Sequence, residues 1–273
     1  MKAIKNILVP TNLTLSSLNV IQYALHQFQG YAFNITLLNV LPLPDSISDL
    51  LLLSRKEDVE VPNDFNAAIN RLINLFPIRI ENINVEHQYG LSVSILNQII
   101  EHKKIDLILF SKPSFTFNSN QKGEVWKILD ESEHPVVYIP EIITNKTPRK
   151  ISFVLDENAS NVELLEEMLQ QLHIDLQTEV KLVSAAPIDK AVNIISKFKN
   201  CTKGGKLYGK YKFSLHFLQG ESYEESIVDF TQQYDVDMVF LLKKKNFLKK
   251  YSINKHILHQ TLEKSKVPLF TIG

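Results

Sequence analysis

The chain states one pattern twice, and that duplication limits its fold more than any other feature. Lys5-Asn6-Ile7-Leu8-Val9-Pro10-Thr11-Asn12 returns as Arg149-Lys150-Ile151-Ser152-Phe153-Val154-Leu155-Asp156, with basic entry, apolar run and polar exit in the same places. Asp106-Leu107-Ile108-Leu109-Phe110-Ser111-Lys112 returns as Asp237-Met238-Val239-Phe240-Leu241-Leu242-Lys243, and His134-Pro135-Val136-Val137-Tyr138-Ile139 as Val267-Pro268-Leu269-Phe270-Thr271-Ile272. A repeat of this length far exceeds a solenoid unit of about 20–45 residues, so each copy reads as a domain that buries its own core. The expected domains are 1–145 and 146–273, separated by the polar stretch Glu141 to Pro148.

A length of 273 residues with 44% hydrophobic content suits two such cores. Lys plus Arg equal Asp plus Glu at 30 each, so no net field draws the chain to nucleic acid or to an anionic membrane. The first copy is weakly acidic and the second weakly basic. Cys201 is the one cysteine, which excludes an internal disulfide, and Met1 to Lys5 lead into a strand without a signal-like apolar segment. The longest leucine run, Leu50 to Leu53, falls far short of the ~20 apolar residues of a spanning helix. The expectation is a soluble, cytoplasmic protein.

Short apolar runs alternate with segments of helical spacing, which predicts strand-helix crossovers and parallel sheets. In the first copy strands are expected at Ile7 to Thr11, Ile35 to Val40, Ile83 to His87, Leu107 to Phe110 and Val136 to Ile139. Helices are expected at Leu18 to Phe28, Asp64 to Phe76, Leu91 to His102 and Val125 to Ser132. The second copy repeats the order, with strands near Ile151 to Leu155, Val180 to Ser184, Lys212 to Phe217, Met238 to Leu242 and Leu269 to Ile272. Ser160 and Glu163 form a capping box for its first helix, and Tyr223, Ile227, Phe230 and Tyr234 read as the core stripe of a later one. The fold class is therefore α/β, as two tandem doubly wound five-stranded parallel-sheet domains.

The ordered set of an N-terminal basic-polar-Ile-Leu-Val-Pro-Thr strand, the strand Ile35 to Val40, Asp106-Leu107-Ile108 and the closing Pro135-Val136-Val137 resembles the universal stress protein family, as two copies covering almost the whole chain. The resemblance implies an adenine nucleotide alpha hydrolase-like fold, pairing through the last strands, and in many members ATP bound at the switch point of the sheet. Crevices at the carboxyl ends of parallel strands, where strand order reverses, suit that use.

Nucleotide-binding members of the family carry an Asp at the end of the first strand and a G-x-x-G-x9-G-[S/T] pattern after the fourth, whose glycines let backbone amides reach phosphate oxygens. In the first copy the Asp position is Asn12, the first two glycine positions are Ser111 and Ser114, and the last pair reads Gly123-Glu124. The second copy keeps the acid as Asp156, but its glycine positions read Leu242, Lys245 and Asn254 to Lys255, inside a lysine-rich stretch from Lys243 to Lys250. The candidate small-molecule pocket comprises Thr11, Asn12, Val40, Ser111, Ser114 and Gly123 in the first copy, and Asp156, Lys243 and Lys245 in the second. Lysine charge in place of backbone amides would suit an anion or nucleotide site. A solvated loop is the preferred account.

Other candidates carry less. His256 and His259 share a helix face but lack the third and fourth ligands a zinc site needs. His87 and His216 read as nearly equivalent third-strand positions. Ser111 and Ser114 have no sequence partner to act as a base. Cys201 precedes the basic, flexible stretch Lys203-Gly204-Gly205-Lys206, a setting that lowers a thiol pKa. Pro42 to Pro62 is a long insertion whose leucine run is expected either to form a short amphipathic helix over the crevice or a partner domain, or to dock as a helical turn on its own core. The leading expectation is a non-catalytic stress-response protein, needing no cofactor or metal, whose copies form an intramolecular pseudo-dimer through Val136 to Ile139 and Leu269 to Ile272. Its use is ligand sensing or protein interaction, and further homodimerisation stays open. The alternatives are an ATP- or AMP-binding protein with a modified pocket and a weak nucleotide hydrolase.

Overall fold

In the computed structural model of the chain, residues 3–28, 30–43, 60–111, 124–140, 148–155, 165, 169, 177–184, 190–204, 211–218, 223–242 and 265–272 are described. They divide into two compact units, Met1–Val136 and Val137–Gly273.

The first unit runs β1 (Ala3–Thr11), α1 (Leu15–Gln27), β2 (Tyr31–Leu41), α2 (Asn63–Leu75), β3 (Ile80–Tyr89), α3 (Val93–Lys103), β4 (Leu107–Ser111) and α4 (Glu124–Glu131). Its strand order is β3-β2-β1-β4, and β1 pairs in parallel with both β2 and β4. The chain therefore steps outward from β1 through β2 to β3 and returns to the other side of β1, which makes the unit doubly wound and puts the switch point between β1 and β4. β2 is buried along almost all of its 11 residues, as a strand covered on both faces must be. On α2, Phe65, Ile69 and Leu72 are buried at helical spacing, each stabilising by about 1.5–3 kcal/mol. The Ser92 side chain accepts from the Ile95 amide and starts α3. β3 is longer than its apolar run, because Ile80 to Asn82 continue the ladder against β2 past a register shift at Phe33 and Asn34.

β5 (Val136–Ile139) opens at the border of the units. The second unit continues with β6 (Lys150–Val154), β7 (Glu179–Ser184), α5 (Ala191–Gly204), β8 (Lys212–Phe217), α6 (Tyr223–Gln233), β9 (Met238–Leu242) and β10 (Leu269–Ile272). Its strand order is β10-β9-β6-β7-β8, and the described pairings are parallel. Helix α5 reaches Gly204, so Cys201 and Lys203 belong to a helix and not to a flexible stretch. Leu165 and Leu169 are both buried; the capping box expected at Ser160 and Glu163 lies outside the described residues.

The duplication extends to individual hydrogen bonds. The Asp106 carboxylate accepts from the Asn6 amide at 2.8 Å, and the Asp237 carboxylate accepts from the Lys150 amide at 2.9 Å and the Arg149 amide at 2.8 Å. The Asp106 amide returns to the Asn6 carbonyl and the Asp237 amide to the Lys150 carbonyl, each at 2.8 Å. The turn before each of these strands contains a left-handed residue that is not glycine, Lys104 at φ 52° and Asp235 at φ 49°. The Ile108 amide bonds the Pro135 carbonyl and the Val239 amide the Pro268 carbonyl, both at 3.0 Å. Each copy thus fastens the start of its first strand to its fourth in the same way.

Register also corrects one equivalence. Pro10 aligns with Leu38 and Leu38 with Glu86, whereas the repeat-equivalent Val154 aligns with Val183 and Val183 with His216. His216 therefore corresponds to Glu86, not to His87. Since strand side chains alternate, that offset of one residue puts the two histidines on opposite faces of their sheets.

Candidate functional site

The carboxyl end of β1 passes into α1 through a turn whose polar side chains are bonded to the turn itself. The Thr11 hydroxyl, fully buried, lies 2.7 Å from the Ser17 hydroxyl and accepts from the Leu13 amide at 2.9 Å. Ser17 Oγ is 2.5 Å from the Thr14 carbonyl, which can only accept, so Ser17 donates there and receives from Thr11. The result is a directed chain from the Leu13 amide through Thr11 and Ser17 to the Thr14 carbonyl. It holds Leu13 in the left-handed region at φ 59°, which costs a non-glycine residue about 1–2 kcal/mol.

Asn12 is occupied in the same turn. Its Oδ1 accepts from the Thr14 amide at 3.3 Å and from the Thr14 hydroxyl at 2.7 Å, an arrangement that stands in for a side-chain cap from Thr14 at the start of α1. Nδ2 of Asn12 has no hydrogen-bond partner among the described residues, so the position offers a donor where a carboxylate would offer an acceptor.

Across the strands, Thr11 aligns with Asn39 and Asn39 with His87, and continuing the register of Ile7 with Leu107 and Leu8 with Ile108 brings Ser111 level with Thr11. Ser111, Thr11 and Asn39 are buried. Asn39 Nδ2 lies 3.0 Å from His87 Nδ1; an amide nitrogen only donates, so Nδ1 accepts and the neutral ring carries its proton on Nε2. The carboxyl edge of the first unit is thus a row of small polar groups on one face. Val40, one residue beyond Asn39, is buried facing the other way. No base hydrogen-bonds Ser111 among the described residues.

Gly90, which follows β3, adopts φ 63°, and its amide donates to the Leu41 carbonyl at 2.8 Å. A Cβ at this glycine would sit 2.9 Å from the Leu43 side chain, and the left-handed backbone favours glycine here.

Of the residues singled out from sequence, Thr11, Asn12, Val40 and Ser111 come together at this edge. Ser114, Gly123, Asp156, Lys243 and Lys245 lie outside the described residues, as do His256, His259 and positions 44–59 of the insertion. In the second unit β6 runs to Val154, and the following Leu155 amide donates to the Val183 carbonyl at 2.8 Å. Sequence reading missed Ser17 and Asn39, and singled out His87 only as a third-strand position. A signal existed for Asn39, a lone amide in the apolar run Leu37-Leu38-Asn39-Val40, but none tied Ser17 to Thr11. Among the described residues no group of three His, Cys, Asp or Glu side chains is placed to hold a metal, and no helix is long and apolar enough to cross a membrane.

No protein-family model matches the sequence, and no curated protein does. Among solved structures the chain is similar to a universal stress protein from Archaeoglobus fulgidus, with a TM-score of 0.68 at 16% identity over 98% of this chain and 97% of that one. It is similar to a putative universal stress protein from Pseudomonas aeruginosa, with a TM-score of 0.57 at 14% identity over 99% and 94% of the two chains. The cytoplasmic domain of a prokaryotic cation chloride cotransporter matches with a TM-score of 0.51 at 11% identity over 98% and 94%. At these identities the likeness is one of fold.

Proposed function

We propose that the chain is a non-catalytic, cytoplasmic stress-response protein of the universal stress type. Its two copies work as a built-in pair, through Val136 to Ile139 and Leu269 to Ile272, in ligand sensing or protein interaction. Tethering makes the docking of one copy on the other intramolecular, at an effective concentration of order mM. The fold likeness over nearly the whole chain to a universal stress protein supports the class. The observation that carries the non-nucleotide reading is the turn after β1. Where nucleotide-binding members of that family use an Asp to hold adenosine groups, Asn12 commits its carbonyl oxygen to Thr14. The glycines that would let main-chain amides approach a polyphosphate are replaced at Ser111 and Ser114.

A second reading keeps a small molecule at the edge formed by Thr11, Asn12, Val40 and Ser111, with Ser114, Gly123, Asp156, Lys243 and Lys245 as further contacts. The Asn12 amide, without a hydrogen-bond partner among the described residues, and the Nε2 proton of His87 favour an acceptor-rich ligand there. Hydrolysis of a nucleotide would need a positioned water or metal in addition. Isothermal titration of the full chain with ATP, ADP and AMP separates these readings: the expected result is no heat at micromolar concentrations. Heat that disappears in Asn12→Ala would replace the first reading by the second.

A further inference from the structure

The second unit has exchanged a charge pair of the first for a histidine set among aromatic rings. Glu86 on β3 is paired with Lys103 at the end of α3. At the equivalent position on β8, His216 instead meets the rings of Tyr234 and Phe230, with centroids 4.8 and 5.1 Å away and edge-on geometry at 61° and 65°. Those two rings lie 4.5 Å apart, and His216 Nε2 is 2.8 Å from the Ser214 hydroxyl. On β7 next to them the buried Lys181 bonds Glu179 Oε1 at 2.7 Å and lies 5.2 Å from the Tyr234 ring centre. The end of α6 and the turn that follows are therefore held to β7 and β8 by rings grouped around one imidazole. β8 is the outermost strand of its unit and is nowhere fully buried.

The groups facing the imidazole are Lys181 and Glu179 from β7, Ser214 from β8 itself, and the Tyr234 phenol beyond α6. Lys150 of β6 acts on Glu179 as well. Burial is the largest influence on His216 and Lys181 the next; both hold its pKa below the ordinary histidine value, against a smaller opposing effect of Glu179. Glu179 is itself held low, chiefly by its hydrogen bond to Lys181, so it is ionised wherever His216 titrates and its charge is already matched.

We propose that His216 is a proton-operated latch: neutral, it docks the end of α6 on the sheet; protonated, it places a second cation beside Lys181 in a half-buried aromatic setting and loosens that helix end from β8. The first unit has no histidine at this place: Glu86 stands there, paired with Lys103.

Hydrogen exchange of the full chain, read by mass spectrometry and corrected for intrinsic rates, tests this between about pH 7.5 and about pH 5.5, which brackets the ordinary histidine value of about 6.5. Peptides from Tyr223 to Tyr234 are expected to lose protection severalfold at the lower pH, while those from α1 hold theirs. His216→Phe, which keeps a ring but takes no proton, is expected to abolish the difference. An equal acid-induced loss in His216→Phe, or none in the wild type, overturns the proposal. Should that variant not fold, NMR titration of wild-type His216, assigned through its contacts with Phe230 and Tyr234, decides. A midpoint below the ordinary value supports the latch, and one at or above it overturns the latch.

Discussion

Thr11→Val is the sharpest probe of the turn after β1, because it keeps the shape of a fully buried side chain and removes only its hydroxyl. Two hydrogen bonds go with it: the one received from the Leu13 amide and the one given to Ser17. At about 1 kcal/mol each, with the half-buried Leu13 amide left to find water, the expected loss is about 2–3 kcal/mol. Ser17→Ala leaves the Thr11 hydroxyl buried with no acceptor, while the Thr14 carbonyl keeps the Ser17 backbone amide at 3.0 Å, so about 1–2 kcal/mol is expected. The double variant no longer contains the orphaned hydroxyl, and its loss should fall short of the sum of the single losses by about 1 kcal/mol. Equilibrium urea unfolding followed by fluorescence reads this directly. The one tryptophan, Trp126, lies on α4 of the first unit and reports that unit alone, which avoids treating two units as a single transition. Additive losses, or a Thr11→Val loss below about 0.5 kcal/mol, would refute the directed hydroxyl chain.

Lys104→Gly should stabilise the first unit by about 0.5–1 kcal/mol, because Lys104 is exposed and held at φ 52°, where glycine carries no Cβ penalty; unchanged urea midpoints would count against it. Asp237→Ala should cost about 2 kcal/mol and Asp106→Ala about 1 kcal/mol, since the Asp237 carboxylate accepts two backbone amides and Asp106 one; far-UV circular dichroism melts giving the opposite order would be inconsistent with the duplicated anchor. His216 has its folded-state pKa below its unfolded value, so its contribution to stability is complete above the unfolded value and is lost as pH falls from there toward the folded one. Lys181→Met removes a cation that lowers that pKa, so His216 should titrate at higher pH and the acid loss should shrink, as NMR titration and melts across pH would show.

The pattern of elements was legible because it is local. Alternation of apolar runs with helically spaced residues, written twice, fixes parallel sheets flanked by helices without knowledge of any contact, and β8 and β9 span the predicted residues. Duplication of the anchoring aspartates, Asp106 and Asp237, was likewise visible as repeated letters, although what they bond was not.

Tertiary structure decided what depends on register and on partners far apart in the chain. Whether His87 or Glu86 corresponds to His216 turns on one residue of strand alignment, and one residue exchanges the faces of a sheet. That Asn12 bonds Thr14 at the start of α1, that Thr11 and Ser17 share a hydrogen bond, and that Lys104 and Asp235 take a glycine conformation follow from where packing sends the backbone. No residue preference announces these features, because in each case the surrounding fold outweighs a local cost of about 1–3 kcal/mol.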